Sequence, residues 1–388
     1  MTKTLKDTLL GVCENGQNVL DELYFARKSG KDIRIGKDSV KNTVNQLHPE
    51  ELNLVVSEIN EVTKEAKQIR FVSKNGYLPP FEAGQYINIF TEIDGVRTSR
   101  PYSISSSPKE RAYYEITVAR IATGFVSDFL LDNVKAGDEF TANGPSGVFR
   151  YVPVFHSKKS VFLAGGSGVT PFKSMISEVL ESGQDREIFL IYGARTQKLA
   201  LYDGLFKSYA KNHSNFHYTL VLSEQTDGWR GAKGFIDKNI IKKAVKNTDD
   251  CTYYICGPQV MNDYCVNELA EMNIPNKKIK REMFGSRQDI VNEPGYPKEI
   301  SGKEIFKVKV GDRVINAKSG ESLLTSLERA GVRIRVCCRS GECSLCRVKL
   351  VNGRVYLSKG MLLRYADEKF GYIHSCKAYP ISDLEILL

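Results

Sequence analysis

Four cysteines in the last part of this 388-residue chain have a spacing that could bind iron or zinc. Cys338, Cys343 and Cys346 form the pattern C-x4-C-x2-C, and Cys376 follows further along the chain. Thiolates are soft ligands that iron–sulfur clusters and zinc both accept. A zinc site usually shows paired C-x2-C knuckles or histidine partners, whereas this chain has a single C-x2-C. The spacing therefore favours an iron–sulfur cluster over zinc or structural thiols.

The same spacing is typical of plant-type [2Fe–2S] ferredoxins. The chain must curl around such a cluster with backbone amides facing the sulfurs, and the small residues Ser340, Gly341 and Ser344 suit that path. We therefore expect a [2Fe–2S] cluster with four thiolate ligands, Cys338, Cys343, Cys346 and Cys376. Cys337 stands one residue too early to complete the spacing, so we expect it to be a buried neighbour.

A glycine-rich turn in the middle of the chain could bind a phosphate-bearing ligand. In SVFLAGGSGVTPFKSM, an apolar strand is followed by the turn and by a helix that should begin near Pro171. Glycines let a phosphate approach the backbone, and a helix N-terminus supplies amide donors and a positive dipole. The turn does not follow the dinucleotide pattern G-x-G-x-x-G, and a glycine-rich turn alone is weak evidence.

A third segment, RPYSISSSP, combines a cation, an aromatic ring and hydroxyls. A guanidinium suits phosphate, and an aromatic face beside a hydroxyl suits a flat heteroaromatic ring with a polar edge. Taken alone, the segment could equally be an ordinary strand that leads into a turn.

Taken together, these segments resemble the ferredoxin–NAD(P)+ reductase superfamily over residues 52–388. RPYS is similar to its flavin motif R-x-Y-S, with FEAGQYINI and GPSGVF as flanks, and ATGFVSDFL resembles its G-x-x-S stretch. GGSGVTP and CGPQVM resemble its G-G-x-G-x-T-P and C-G-P-x-x-M motifs, and EMFG resembles its Glu-x-Phe element.

The resemblance implies a flavin site. Arg100 would hold a flavin phosphate, Tyr102 would stack on the isoalloxazine, and Ser103 would hydrogen-bond near N5. Gly124 and Ser127 would open a helix whose amides receive pyrophosphate. That stretch favours FAD over FMN, although related reductases with the same domain order can hold FMN.

The resemblance also implies a nicotinamide site. The glycine-rich turn would contribute Gly165, Gly166, Gly168, Thr170 and Pro171. Cys256 would lie beside the reacting carbon of the nicotinamide, in a pocket shaped by Gly257, Pro258 and Met261. Glu282 and Phe284 would lie against the flavin, which makes Ser103, Cys256 and Glu282 the expected catalytic residues.

The choice between NADH and NADPH stays open. Arg195 and Lys198 follow the second α/β strand, where members of this family distinguish the two nucleotides. A guanidinium there could bind a 2′-phosphate, but a solvated basic loop would look the same. The sequence lacks the fuller Ser-Arg pattern of clear NADPH enzymes, which favours NADH slightly.

Changes in hydrophobic pattern predict a multidomain protein. We expect an N-terminal helical extension over 1–50 and an antiparallel β-barrel FAD-binding domain over 51–153. An α/β NAD(P)-binding domain with a parallel sheet should cover 154–286, followed by an exposed linker over 287–302. An α+β (β-grasp) [2Fe–2S] ferredoxin domain should cover 303–388.

Composition and charge narrow the partners and the compartment. The chain is 41% hydrophobic, and no apolar run approaches the length of a membrane span. The N-terminal segment lacks a secretory signal pattern, so we expect a cytoplasmic protein with reduced cysteines. Residues 301–388 hold 16 lysines and arginines against 9 acidic residues, a net +7 of the chain's +9. This predicts a redox acceptor protein with an acidic docking face rather than nucleic acid.

The domain order predicts a reductase that converts a two-electron donor into single electrons. Hydride would pass from NAD(P)H to FAD, and electrons would then pass singly through the [2Fe–2S] cluster to a separate acceptor, such as an oxygenase or an anaerobic metalloenzyme. The alternative is a self-contained oxidoreductase that acts on a small acceptor at the flavin. A non-enzymatic redox-responsive subunit would need no hydride transfer, and the full set of motifs disfavours it.

Overall fold

The computed structural model describes residues 16–29, 41–45, 47, 49–121, 124–224, 228–285 and 289–388. Contacts divide the chain into a small unit, residues 1–50, and a large unit, residues 51–388. In the small unit, helix α1 (Gly16–Lys28) lies in the segment whose apolar spacing predicted a helix. The side chains of Val19, Tyr24 and Phe25 on this helix are exposed. Residues 1–15, 30–40, 46 and 48 of the predicted extension lie outside the described residues.

The first sheet of the large unit is antiparallel throughout, in the order β4-β3-β6-β1-β2-β5. Its strands are β1 (Leu52–Thr63), β2 (Ala66–Ser73), β3 (Tyr86–Ile93), β4 (Val96–Ser103), β5 (Tyr114–Ala119) and β6 (Glu139–Ser146). A bridge between Ile104, just after β4, and Ile116 on β5 joins the two edge strands. The sheet therefore closes into the predicted β-barrel, and helix α2 (Val126–Asp132) packs Leu130 into its core.

The second sheet is parallel, in the order β10-β9-β8-β7-β11-β12. Its strands are β7 (Lys159–Gly165), β8 (Glu187–Ala194), β9 (Phe216–Leu222), β10 (Ala232–Lys233), β11 (Cys251–Cys256) and β12 (Ile279–Glu282). Its helices are α3 (Thr170–Ser182), α4 (Asp203–Asn212), α5 (Lys238–Ala244) and α6 (Gln259–Glu271). Consecutive β7 residues point to opposite faces of the sheet, so Phe162 and Leu163 enter separate cores. Both faces of the sheet are thus covered, which explains its continuous apolar strands.

The C-terminal part has a five-stranded mixed sheet, in the order β14-β13-β19-β15-β17, and a two-stranded sheet of β16 and β18. The strands are β13 (Ile305–Val310), β14 (Arg313–Lys318), β15 (Arg347–Asn352), β16 (Val355–Leu357), β17 (Tyr372–His374), β18 (Ala378–Pro380) and β19 (Leu384–Leu387). Helix α7 (Leu323–Arg329) buries Leu323 and Leu327 in the core of this sheet, and the short helix α8 (Tyr365–Lys369) precedes β17. This is the predicted α+β architecture.

The segment that joins the second and third parts is less exposed than its sequence suggested. Ile290 and Tyr296 are buried, and Tyr296 packs edge-on against Tyr356 with ring centroids 5.2 Å apart. The Tyr296 hydroxyl donates to the carbonyl of Ser319 at 3.1 Å. The expectation of an exposed linker is therefore wrong at Ile290 and Tyr296, because these apolar side chains pack against the C-terminal part of the chain.

Among the described residues, no helix combines the length and the apolar character needed to cross a membrane.

Candidate flavin, nicotinamide and iron–sulfur site

The four predicted iron ligands form two thiol pairs. Cys338, Cys346 and Cys376 are buried, and Cys343 is partly buried. A hydrogen bond from the Cys343 thiol lowers the pKa of Cys338, and the Cys376 thiol likewise lowers the pKa of Cys346. Two pairs of adjacent thiols, each with one readily ionised member, suit a cluster in which each of two irons takes two thiolates.

The loop over residues 337–346, here called the cysteine loop, curls tightly. Arg339, Gly341 and Ser344 have positive φ angles of 53°, 85° and 60°. The backbone N–H groups of Ser340 and Cys343 both donate to Cys338 Sγ at 3.4 Å. Backbone amides thus point at a ligand sulfur, as expected for a loop that stabilises a negatively charged cluster.

The predicted flavin residues lie along β4, an edge strand of the barrel. Arg100 Nη1 donates to Thr98 Oγ1 at 3.0 Å and to the carbonyl of Ser99 at 2.7 Å. Tyr102 packs against the barrel core, and Ser103 is buried at the end of the strand. Alternate residues of a strand share a face, so Arg100 and Tyr102 lie on one face and Ser103 on the other.

Ser127 lies in the first turn of α2, and its buried hydroxyl has no hydrogen-bond partner among the residues that the structure describes. A Cβ at Gly124 would lie 2.2 Å from this hydroxyl, so a larger residue would displace it. A buried hydroxyl without a partner is costly unless a ligand supplies one. The pair therefore fits a polar ligand such as the flavin pyrophosphate.

The two nicotinamide motifs pack directly on each other because β7 and β11 are neighbours, with Ala164 in register with Cys256. A Cβ at Gly168 would lie 2.2 Å from the carbonyl oxygen of Cys256. A Cβ at Gly165 would lie 2.1 Å from Met261 Sδ and 3.2 Å from Pro258 Cδ. The motif glycines are thus needed for this close approach.

The other members of the two motifs lie beside this contact. Gly166 has a φ of +53°, and a Cβ added there would face open space among the described residues. A Cβ at Gly257 would lie 2.9 Å from Met261 Sδ. Helix α3 begins at Thr170, with Pro171 in its first turn as predicted. The Thr170 hydroxyl donates to the carbonyl of Ser167 at 2.6 Å and so braces the turn.

Cys256 and Glu282 end adjacent parallel strands and lie in register. Cys256 is 1% exposed and Glu282 is 5% exposed. Burial raises the pKa of both side chains well above their usual values, and the charge of Glu342 in the cysteine loop adds to the rise for Glu282. Burial therefore favours the protonated form of both groups, and among the described residues Glu282 Oε2 has no hydrogen-bond partner. Glu282 can thus hold a proton beside the Cys256 thiol.

Arg195 does not line a closed site. It is exposed and forms an ion pair with Glu65 at 3.1 Å, and Lys198 lies on the same loop after β8. Exposed ion pairs contribute little, so this one would not prevent Arg195 from turning to a nucleotide phosphate. The geometry leaves the choice between NADH and NADPH open.

Tyr86 joins the predicted flavin and cluster sites, and sequence reasoning did not single it out. It is 4% exposed and lies in register with Ser103 across β3 and β4. Its ring lies edge-on to Phe284, and Cys337 Sγ lies 3.9 Å from its hydroxyl oxygen. Cys337 is thus a buried neighbour, as predicted. The available signal was the position of Tyr86 in FEAGQYINI, a recognised flank of the flavin motif.

Two asparagines of the barrel, the buried Asn88 and the partly buried Asn143, hold the start of the cysteine loop. Asn88 Nδ2 and Asn143 Nδ2 donate to the carbonyl of Val336 at 3.2 Å and 3.0 Å. Val336 directly precedes Cys337 and is itself buried. The cysteine loop is therefore fixed against the same barrel that carries the predicted flavin residues.

Comparison with known protein families matches all three parts. Residues 53–151 match the oxidoreductase FAD-binding domain, residues 162–267 the oxidoreductase NAD-binding domain, and residues 306–380 the 2Fe-2S iron-sulfur cluster binding domain. The residues at the three sites fit these groups: a strand with a guanidinium and an aromatic ring, a glycine turn without side chains, and two thiol pairs.

Individual relatives support the same assignment. The glycine betaine monooxygenase reductase subunit of Pseudomonas aeruginosa (strain UCBPP-PA14) is 26% identical over 84% of this chain and 92% of its own length. NADH-cytochrome b5 reductase 1 of Dictyostelium discoideum is 32% identical over 50% of this chain and 68% of its own length. The solved structure of phthalate dioxygenase reductase has the same fold, with a TM-score of 0.63, 24% identity and coverage of 87% of this chain and 97% of that one. The chain belongs to the ferredoxin–NAD(P)+ reductase superfamily, as an NAD(P)H-dependent reductase with FAD-binding and NAD-binding domains and a C-terminal [2Fe–2S] ferredoxin domain.

Proposed function

We propose that this chain takes electrons from NAD(P)H through FAD held along β4 and a [2Fe–2S] cluster held by Cys338, Cys343, Cys346 and Cys376, and delivers them to a separate acceptor protein. The position of Tyr86 is the observation that carries the proposal. Tyr86 is a strand partner of Ser103, a ring contact of Phe284 and a neighbour of the cysteine loop. The proposed flavin and cluster residues therefore meet at the buried side chain of Tyr86.

When bound, FAD accepts a hydride and releases electrons singly, and the cluster carries one electron at a time. In this proposal Arg100 and Ser127 hold the flavin phosphates, Tyr102 packs on the ring, and Ser103 hydrogen-bonds its polar edge. The glycine-rich turn brings the nucleotide close to Cys256. Buried Cys256 and Glu282 exclude water from that contact, and Glu282 keeps a proton near it.

We propose further that the acceptor is a protein with an acidic docking face and that the reductase works in the cytoplasm. The Pseudomonas aeruginosa relative is named as the reductase subunit of a monooxygenase, which favours a separate oxygenase component as the acceptor. Arg333 and Arg335 lead into the cysteine loop and are exposed. Within the described residues, neither forms an ion pair, so both are available to an acidic partner.

Loss of the cluster separates this function from the self-contained alternative. In the Cys343→Ala variant, we expect NAD(P)H still to reduce the flavin but electron delivery to the acceptor protein to stop. Cys337→Ala is the matched control, because Cys337 neighbours the ligands without being one. Full acceptor reduction by Cys343→Ala would contradict the proposal and favour a small acceptor at the flavin.

Charge reversal tests the docking face. We expect the double variant Arg333→Glu, Arg335→Glu to reduce the acceptor more slowly and to lose most of the dependence of that rate on ionic strength. Lys307→Glu, an exposed change on β13, is the control. A parent rate that is insensitive to salt would show that no acidic face is used.

A further inference from the structure

Two guanidinium groups from different domains meet at one hydroxyl oxygen. Arg100 Nη1 donates to Thr98 Oγ1 at 3.0 Å, and Arg339 Nη2 donates to the same oxygen at 3.1 Å. The Thr98 hydroxyl in turn donates to Glu328 Oε2 at 3.0 Å. Arg100 and Thr98 belong to barrel strand β4, Glu328 belongs to α7, and Arg339 belongs to the cysteine loop.

This group holds more positive than negative charge. Arg339 is 4% exposed, and its Nε has no hydrogen-bond partner in the part of the chain that the structure describes, although its Nη2 is paired with Glu328. Burial, and then the charge of Arg339, lower the pKa of Arg100 to about 10. Within the described residues, Glu328 is the only carboxylate that forms an ion pair with either arginine. Arg339 is paired with Glu328, whereas the partly buried Arg100 has no carboxylate partner in the described ranges, so the two guanidinium groups share one negative charge and the excess positive charge favours binding of an anion.

The strand identifies the class of anion. Thr98, Arg100 and Tyr102 alternate along β4 and share one face. In the proposed function, Tyr102 packs on the flavin ring and Arg100 holds a flavin phosphate. The next residue on that face of β4 is Thr98, whose hydroxyl accepts the hydrogen bond from Arg339. With the flavin held in that way, its phosphate would be the anion within reach of both guanidinium groups.

We propose that Arg339 is a second arginine of the flavin phosphate site, so that the ferredoxin domain completes the binding site of the barrel. The inference rests on the flavin site proposed above. Arginine suits this task because its fork donates two hydrogen bonds to phosphate oxygens. Flavin binding and ferredoxin docking then stabilise each other, because the same phosphate contacts both domains.

Flavin titration of the flavin-free full-length protein tests the proposal, with FAD and riboflavin as the two probes. Removal of a hydrogen bond to a charged group predicts that Arg339→Gln binds FAD roughly tenfold to a hundredfold more weakly. Riboflavin has no phosphate, so its affinity should not change. Arg335→Gln removes the same charge from an exposed position near the same loop and should leave both affinities unchanged.

A further variant keeps the test decisive if Arg339→Gln disturbs the neighbouring cysteines, which visible circular dichroism of the cluster would reveal. Glu328→Gln removes the carboxylate that competes for Arg339, so it should bind FAD at least as tightly as the parent. Weaker FAD binding by Glu328→Gln would contradict the proposal, as would unchanged FAD binding by Arg339→Gln, or an equal loss of FAD and riboflavin binding.

Arg100→Gln separates this inference from the proposed flavin site. If Arg100→Gln weakens FAD binding and Arg339→Gln does not, only the role of Arg339 is wrong. If neither substitution weakens FAD binding, the flavin phosphate does not lie on β4 and the proposed site is wrong as well.

Discussion

The ring of Tyr86 lies edge-on to the ring of Phe284, with the ring centroids 5.9 Å apart and the ring planes at 89°. Tyr86 begins β3 of the barrel, whereas Phe284 follows the last strand of the parallel sheet. Because the hydroxyl of Tyr86 also faces Cys337, this contact joins all three parts of the large unit.

Substitution of Tyr86 tests whether this contact positions the redox groups. We expect Tyr86→Leu to slow the passage of electrons from flavin to cluster by roughly tenfold or more, because small displacements at a reacting centre are costly. Reduction of the flavin by NAD(P)H should keep its rate. Stopped-flow absorbance that separates the flavin and cluster bands would measure both steps. Tyr86→Phe keeps the ring contact and should behave like the parent, and equal rates for Tyr86→Leu would show that the ring is not needed.

The thiol pairs predict which cysteines bind iron. Cys343→Ser should lose the [2Fe–2S] electron paramagnetic resonance signal of the reduced protein and most of its bound iron. Cys337→Ser and Cys265→Ser should keep both, since neither thiol belongs to a pair. Loss of the signal in Cys337→Ser would mean that Cys337 is a ligand.

The glycine contacts predict unequal effects of a single methyl group. At Gly168 the new Cβ would meet the backbone oxygen of Cys256, which cannot easily move, so Gly168→Ala should lower the free energy of unfolding by about 1–3 kcal/mol. It should also raise the KM for NAD(P)H. At Gly165 the new Cβ would meet the flexible Met261 side chain, so Gly165→Ala should cost less.

Gly204→Ala is the control for these two variants, because a Cβ added at this position of α4 would face open space. Chemical denaturation and steady-state kinetics would compare the three proteins. Equal losses in all three would show that the close approach of the two motifs is not responsible.

The raised pKa of Glu282 predicts how stability depends on pH. The folded protein holds this proton at pH values where the unfolded chain, with an ordinary pKa of 4.5, has lost it. The stabilising contribution is full below pH 4.5 and is lost as the pH rises towards the folded pKa, with a slope of up to about 1.4 kcal/mol per pH unit for one proton.

Glu282→Gln should remove this part of the pH dependence, so the variant should gain stability relative to the parent as the pH rises. Thermal unfolding midpoints from about pH 5 to about pH 9 would test it, with Asp263→Asn, an exposed change on α6, as the control. Parallel curves for Glu282→Gln and the parent would mean that Glu282 ionises normally in the folded protein.

The sequence was most informative where function depends on local spacing. Cys338 and Cys343 are close in the chain, and the curl that brings their thiols together is encoded by the residues between them. Likewise the hydrophobic runs of β7 and β11 predicted a parallel sheet, and adjacent parallel strands bring their glycine motifs to one edge. The barrel, the α/β sheet and the α+β domain were all predicted on such grounds.

The contacts between domains could not be predicted from the sequence in the same way. Arg339 and Thr98 are far apart in the chain, and nothing near either residue indicates that they share a hydrogen bond. In the sequence, Asn88 is an ordinary polar residue of a strand, and only the structure shows its hydrogen bond to Val336. The segment around Tyr296 suggested exposure because proline, glycine and charge surround its few apolar side chains, whose partners lie on β16 and β18.

The two asparagine hydrogen bonds to the carbonyl of Val336 affect whether the ferredoxin domain has to move during the catalytic cycle. They hold one side of the cysteine loop to the barrel, while Leu345 on the same loop is 43% exposed. A partner that approaches at Leu345 would not compete with the barrel for the loop. The cysteine loop could then contact the flavin barrel and the acceptor protein at the same time. The ferredoxin domain would therefore not have to move between the two in each catalytic cycle.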